Sequence, residues 1–163
     1  MLLGVVSDTH NNFKNIEIIV SLFNDKKVSL VIHTGDIANA KSLERFSKLN
    51  SELVGVYGNN DRNEMGLKEV ANKNNFKFQE PPRILTLCDK NIAIFHEPDS
   101  IDDFLLENRN IDVVIHGHTH RYRHEKKNNV LFFNPGESAG MQKGGNAIGI
   151  LNLKNLSTKR IFF

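Results

Sequence analysis

A chain of 163 residues, 39% apolar and 25% charged, is long enough to bury the core of one domain and too ordinary to be low-complexity or disordered. Its net charge of +2, with no long basic block, gives no footprint of a dedicated nucleic-acid binder. No apolar run reaches the roughly 18–20 residues that span a bilayer, so no membrane partner is expected.

Residues 2–7 form a short, continuous apolar run, as a buried parallel strand requires. After a polar cluster, Phe13, Ile16, Ile19, Val20 and Phe23 recur at helical spacing, with Asn11 or Asn12 placed to cap. Residues 28–32 read as a second buried strand running into His33-Thr34-Gly35-Asp36. Leu43, Phe46 and Leu49 mark a second amphipathic helix, and residues 53–57 a third strand ending in Gly58-Asn59-Asn60-Asp61. This β-α-β-α-β order implies a parallel sheet with right-handed crossovers.

A helical segment around residues 67–71 leads to Pro81-Pro82, which forces an extended turn. Residues 83–88 and 91–95 flank Asp89-Lys90 as a hairpin. A short helix over 101–107, behind Asp99 and Ser100, precedes a buried strand at 111–115. From Tyr122 onward the pattern is strands alone: 122–126 and 130–133 around Asn128-Asn129, then 147–153 and 158–163 around Lys154-Asn155. A glycine-bearing loop, 135–145, lies between these pairs, near the expected site. Without a repeat or a linker, the chain reads as one α/β domain on two sheets, residues 1–163.

The single cysteine, Cys88, excludes an internal disulfide and a cysteine-built zinc cage. The apolar start reaches Ser7 and Asp8 too soon for a signal peptide. Both point to the cytoplasm.

The polar residues fall where chemistry would need them. Asp8 and His10, Asp36, Asn59, His96, and the pair His118 and His120 each follow a buried strand, and strand carboxyl ends line the ligand crevice of open α/β sheets. Each has a plainer reading when taken singly. Asp8 and Asp36 would serve as helix caps, Gly58-Asn59-Asn60-Asp61 as a turn, and His96 as a hydrogen-bonded structural residue. Gly117-His118-Thr119-His120 is the strongest local signal, two imidazoles at i and i+2 freed from a strand by a glycine. Jointly the plain readings require a separate coincidence at every strand end.

The ordered set Asp8-Thr9-His10, Gly35-Asp36, Gly58-Asn59-Asn60-Asp61, His96 and Gly117-His118-Thr119-His120 resembles the calcineurin-like metallophosphoesterases. Size and Asn134-Pro135-Gly136-Glu137 resemble their compact single-domain YfcE-type branch. The resemblance implies a four-layer αββα sandwich, two packed mixed sheets flanked by helices. It implies one metal on Asp8, His10, Asp36 and His120, and another on Asp36, Asn59, His96 and His118. Asp36 would then bridge, as a carboxylate readily does. The mixed nitrogen and oxygen donors suit Mn²⁺ first, with Ni²⁺, Fe, Zn²⁺ or Mg²⁺ as substitutes. Two cations about 3.5–4 Å apart would activate a shared water for in-line attack on a phosphodiester, or on a phosphomonoester. Asn59, Asn60, Asp61 and His118 are the expected catalytic residues. Compact relatives often form homodimers or homotetramers.

Two departures bear on substrate. Many larger relatives carry histidine where Asn60 stands, and an amide cannot deliver a proton near neutral pH. Relatives often have glycine after the lone histidine, whereas Glu97-Pro98 makes this rim more acidic and stiffer. His116 shares parity with His118 but precedes the glycine and reads as packed; His33 reads as structural and His124 as surface. Arg62, Arg121 and Arg123 are within reach of a substrate phosphate or simply solvated. Substrates are expected to be small phosphoesters, nucleotides included, since no spare domain exists to grip duplex nucleic acid. The rival class is a protein-binding scaffold of the same fold, known from the endosomal retromer coat, whose site has lost ligands.

Overall fold

In the computed structural model, which describes residues 1–142 and 144–163, alternation along β1 (Leu2–Val6) sorts its side chains between two layers. Leu3 and Val5 face a second sheet, while Val6 and the bare backbone of Gly4 meet α1 (Phe13–Asp25), whose Phe23 ring would overlap any Cβ at residue 4. The α1 face made of Ile16, Ile19, Val20 and Phe23 is buried as its spacing requires. Of the two candidate caps, Asn12 is the one used: its side chain accepts from the Asn15 backbone N–H at 3.1 Å.

β2 (Leu30–His33) and β3 (Glu52–Val56) continue the parallel sheet. The helix expected around Leu43 is split, with α2 (Ala40–Glu44) giving way to a 3-10 turn at Arg45–Lys48. Leu43, Phe46 and Leu49 are spaced by three, the repeat of a 3-10 helix, and that winding packs all of them on the first core. After α3 (Leu67–Lys73), β4 (Lys77–Gln79) adds a parallel edge strand that periodicity had not indicated. Three residues with one inward side chain, Phe78, are too few to show alternation.

β5 (Arg83–Leu87) and β6 (Lys90–Ile94) form the expected hairpin, one residue out of the expected place. The turn is Cys88-Asp89, both at positive φ (48° and 58°), as a two-residue turn with matching twist demands. α4 (Ile101–Glu107), β7 (Val113–Ile115), β8 (Arg123–Lys127), β9 (Val130–Asn134), β10 (Ala147–Asn152) and β11 (Ser157–Phe162) follow. Lys143, in the glycine-bearing loop before β10, lies outside the described residues.

The strands form a six-stranded sheet, β11-β10-β1-β2-β3-β4, and a five-stranded sheet, β5-β6-β7-β9-β8. Leu3, Val5, Ile32 and Val56 of the first interleave with Ile92, Ile94, Ile115 and Phe133 of the second. α1, α2 and α3 cover the outer face of the first sheet, and Ile101 and Phe104 of α4 cover Ala93, Val114 and Phe132 on the second. The result is the four-layer αββα sandwich. Among the described residues no helix is long and apolar enough to cross a membrane.

Candidate metal centre

The carboxyl ends of β1, β2 and β3 from one sheet and of β6 and β7 from the other open at one edge, and the loops after them touch. The backbone N–H of Asp8 donates to the Gly35 carbonyl at 3.1 Å, and that of His10 to the Asp36 carbonyl at 2.9 Å. Across the sheets, the His118 N–H donates to Asp8 Oδ2 at 3.1 Å. Asp8, His10, Asp36, His118 and His120 all hold positive φ, between 44° and 65°. Side chains rarely adopt that conformation, and its concentration at one edge marks backbone held for function.

Two glycines make the approach close enough. A Cβ on Gly35, at φ 103°, would lie 2.6 Å from the Gly58 nitrogen and 2.8 Å from His96 Nδ1. One on Gly117 would strike the Ser7 hydroxyl and lie 2.7 Å from Thr34 Oγ1. Glycine is the residue for such sites.

Two donor groups result. Ligand atoms of Asp8, His10 and His120 lie within 4.8 Å of one another, as do those of Asp8, Asp36 and His96. Donors on opposite sides of a first-row cation, each about 2.1 Å away, span a comparable gap. Asp36 looks both ways: Oδ2 is 3.9 Å from His10 Nε2, and Oδ1 is 3.4 Å from His96 Nε2. Asn59 Oδ1 closes the second group, 2.8 Å from His96 Nε2 and 3.1 Å from His118 Nδ1. The expected ligands therefore meet at one edge, with Asp8 common to the two groups and Asp36 in the second, where Asp36 had been expected in both.

The electrostatics call for positive charge here. His96 Nδ1 lies 2.8 Å from the Thr34 carbonyl oxygen. An N–H there leaves the Nε2 lone pair facing the oxygens of Asn59 and Asp36, a repulsion that a proton or a cation between them relieves. Burial opposes a charge on His96, yet Asp36 and Asp8 raise its pKa above the ordinary imidazole value. The Asp8 carboxylate, 3.5 Å from His120 Nε2, raises His120 likewise. Burial also opposes the charge on Asp36, but His96 and two donors from Asn60 hold its carboxyl well below the usual carboxylate range. Asp8 Oδ1 and His10 Nε2 are buried with no hydrogen-bond partner among the described residues. Such orphaned atoms are costly unless something charged meets them, so the donor set fits divalent cations.

The neighbouring residues hold the loops or pack beside the centre. Asp61 orients the loops: it accepts from the N–H groups of Ile37, Ala38 and Gly58, each at 2.8 Å, and so ties the loop after β2 to the loop after β3. Asn60 turns inward, its N–H and Nδ2 on the Asp36 oxygens at 3.0 and 2.7 Å. Arg62 pairs with Glu97 and Glu80 at 3.5 and 4.0 Å. His33 is wholly buried between Thr9 Oγ1 and the Gly35 N–H, and burial takes its pKa down to about 3. His116 is buried against the Gly117 carbonyl, with its pKa lowered by burial.

Sequence reasoning missed three supports. Asn134 donates from Nδ2 to the Gly117 carbonyl at 3.1 Å and to Thr119 Oγ1 at 3.3 Å. Its place at the end of β9, in a polar stretch already noted, was the available signal. Glu137, fully buried, accepts from the N–H groups of Ala139, Gly140 and Gln142 and cages the loop beside the centre. Thr34 acts through its backbone carbonyl, which no side-chain pattern announces.

Comparison with known proteins gives a consistent result. The calcineurin-like phosphoesterase superfamily domain matches residues 1–156. Phosphodiesterase MJ0936 of Methanocaldococcus jannaschii is 34% identical over 163 residues, covering 99% of this chain and 98% of the relative. Phosphodiesterase YfcE of Escherichia coli K12 is 27% identical over 165 residues, covering 90% and 83%. A solved archaeal phosphodiesterase superposes with a TM-score of 0.91 at 33% identity, over 100% of both chains.

Proposed function

The chain belongs to the calcineurin-like phosphoesterase superfamily, and from that premise we propose that it is a dinuclear, metal-dependent phosphodiesterase of small substrates. The observation that carries this is the position of Asp36, with one oxygen toward His10 at 3.9 Å and the other toward His96 at 3.4 Å. Asp8, His10, Asp36 and His120 would hold one ion; Asp36, Asn59, His96 and His118 would hold the other. The donor chemistry favours Mn²⁺, with Ni²⁺, Fe, Zn²⁺ or Mg²⁺ able to substitute. When bound, such a pair supplies a water ionised near neutral pH and positive charge opposite the phosphate oxygens.

The chain's own residues do the rest. The Thr34 carbonyl fixes which nitrogen of His96 keeps a lone pair. Asp61 keeps the Asn59-bearing loop against the Asp36-bearing loop, so the donors need not reorganise as charge develops. The Asn60 amide donates to Asp36 at 2.7 Å and would be the side-chain donor that polarises a leaving oxygen. An amide polarises that oxygen without protonating it, so aryl esters, whose leaving groups need little protonation, are the preferred substrates.

The test is hydrolysis of a chromogenic aryl phosphodiester by metal-stripped protein, with each transition metal added in turn and bound metal counted per chain. Hydrolysis with two ions per chain is the expected result. No uptake and no turnover with any metal would favour the scaffold reading. Against that reading stands the donor set, which lacks no histidine.

A further inference from the structure

Two unlike cavities lie beside loops that carry the centre. One, of about 230 Å³ next to Asp61, is lined by Glu64, Glu69 and Glu80, with Arg62 and Lys68 among them. Arg62 is already engaged by Glu80 and Glu97. The other, a trough of about 600 Å³, includes the candidate ligand His118 and runs past Pro98, Arg121, Tyr122 and Arg123. No carboxylate lines this trough among the described residues.

Its two arginines are not equivalent. Arg123 is held by Glu125 at 2.9 Å and lies 4.3 Å over the Phe132 ring. Arg121 has one hydrogen bond among the described residues, and that runs from its backbone N–H to Thr119 Oγ1 at 3.3 Å. Its guanidinium, one residue beyond His120, has no partner among the described residues. A third cation backs the trough: Arg160 stacks over the Tyr122 ring at 4.5 Å. An anion entering here meets positive potential and a bidentate donor; entering the other cavity, it meets carboxylates.

We infer that the trough is a subsite for one ester arm of the substrate, and that it selects phosphodiesters whose arm carries a second anion, a carboxylate or a phosphate, read by Arg121. The inference rests on the phosphodiesterase reading and deepens it. Arg62 plays no part in this selection, because it lines the other cavity and is paired with Glu80 and Glu97.

Two p-nitrophenyl phosphodiesters of matched size test it, one with a 2-carboxyethyl second arm and one with a propyl arm. Their kcat/KM values are compared on the full chain with Mn²⁺. The wild type favours the carboxylate ester about tenfold, the scale of one charge-assisted contact, and Arg121→Gln brings the ratio to about one. Because the ratio is internal to each protein, a general loss of activity does not disturb it. Arg62→Gln keeps the wild-type ratio. A wild-type ratio of one, a ratio that survives Arg121→Gln, or a ratio that collapses in Arg62→Gln overturns the subsite while the phosphodiesterase reading stands. Cleavage of neither ester overturns that reading, and the subsite with it.

Discussion

Asn134 donates its side-chain N–H to the carbonyl of Gly117 at 3.1 Å, so a residue at the end of β9 fixes the start of the loop carrying His118 and His120. Its oxygen is also engaged, by the Gly136 N–H at 2.9 Å. Asn134→Ala leaves the Gly117 carbonyl without this donor and lets both imidazoles drift. Mn²⁺ affinity, measured by titration calorimetry on folded protein, drops by about 10–100-fold, the range for a lost partner behind a metal ligand. Affinity equal to wild type would show that the loop holds itself.

Removing the carboxylate proposed to bridge has a larger effect. Asp36→Asn keeps the shape but takes away the charge between His10 and His96. If two ions bind as proposed, metal per chain drops from two toward one or none, and kcat on an aryl diester falls by at least about a hundredfold. Metal analysis separates this from misfolding, since circular dichroism stays native. Two ions per chain in the variant would rule out the bridging role.

Asn60→His supplies a group that can deliver a proton near neutral pH. The ratio of aryl to alkyl ester hydrolysis, high in the wild type, narrows by about 10²-fold or more in the variant. Equal wild-type rates on both esters would remove the premise.

Gly117→Ala brings a methyl group onto the Ser7 hydroxyl and to 2.7 Å from Thr34 Oγ1 and 3.0 Å from Asp8 Oδ2, all three on fully buried side chains that must shift to admit it. Urea unfolding of the metal-free protein shows a loss of about 1–3 kcal/mol. An unchanged midpoint would mean that the strand ends separate freely.

His33 predicts a pH dependence of stability. Burial holds its native pKa at about 3 against 6.5 in the unfolded chain, with Asp8 and Asp36 pulling upward and His96 and His10 downward. Between those values the unfolded state binds a proton that the native state refuses, so stability falls as pH drops below 6.5. The slope from this group is about 1.4 kcal/mol per pH unit. Metal-free His33→Gln, which keeps a donor and an acceptor but cannot titrate, shows a flatter decline in urea midpoint between pH 7 and pH 5. Parallel declines would remove His33 as the cause.

The sequence by itself determined the kinds of side chain placed at strand ends and the order of the elements beneath them. Asp8, Asp36, Asn59, His96, His118 and His120 are polar residues terminating apolar runs, and burial period alone locates such positions. It could not supply β4, whose one inward residue makes no pattern, or the split after Glu44, where three-residue spacing fits two windings. Tertiary structure decided that the two sheets stack with these ends together, so that the His118 N–H meets an Asp8 oxygen from 110 positions away in the chain. It decided the positive φ values that aim the side chains, and the tasks of Thr34, Asn134 and Asp61. The reason is physical: local periodicity records which face of an element avoids water, whereas these contacts follow from how separate layers pack and where backbone carbonyls and N–H groups then find partners.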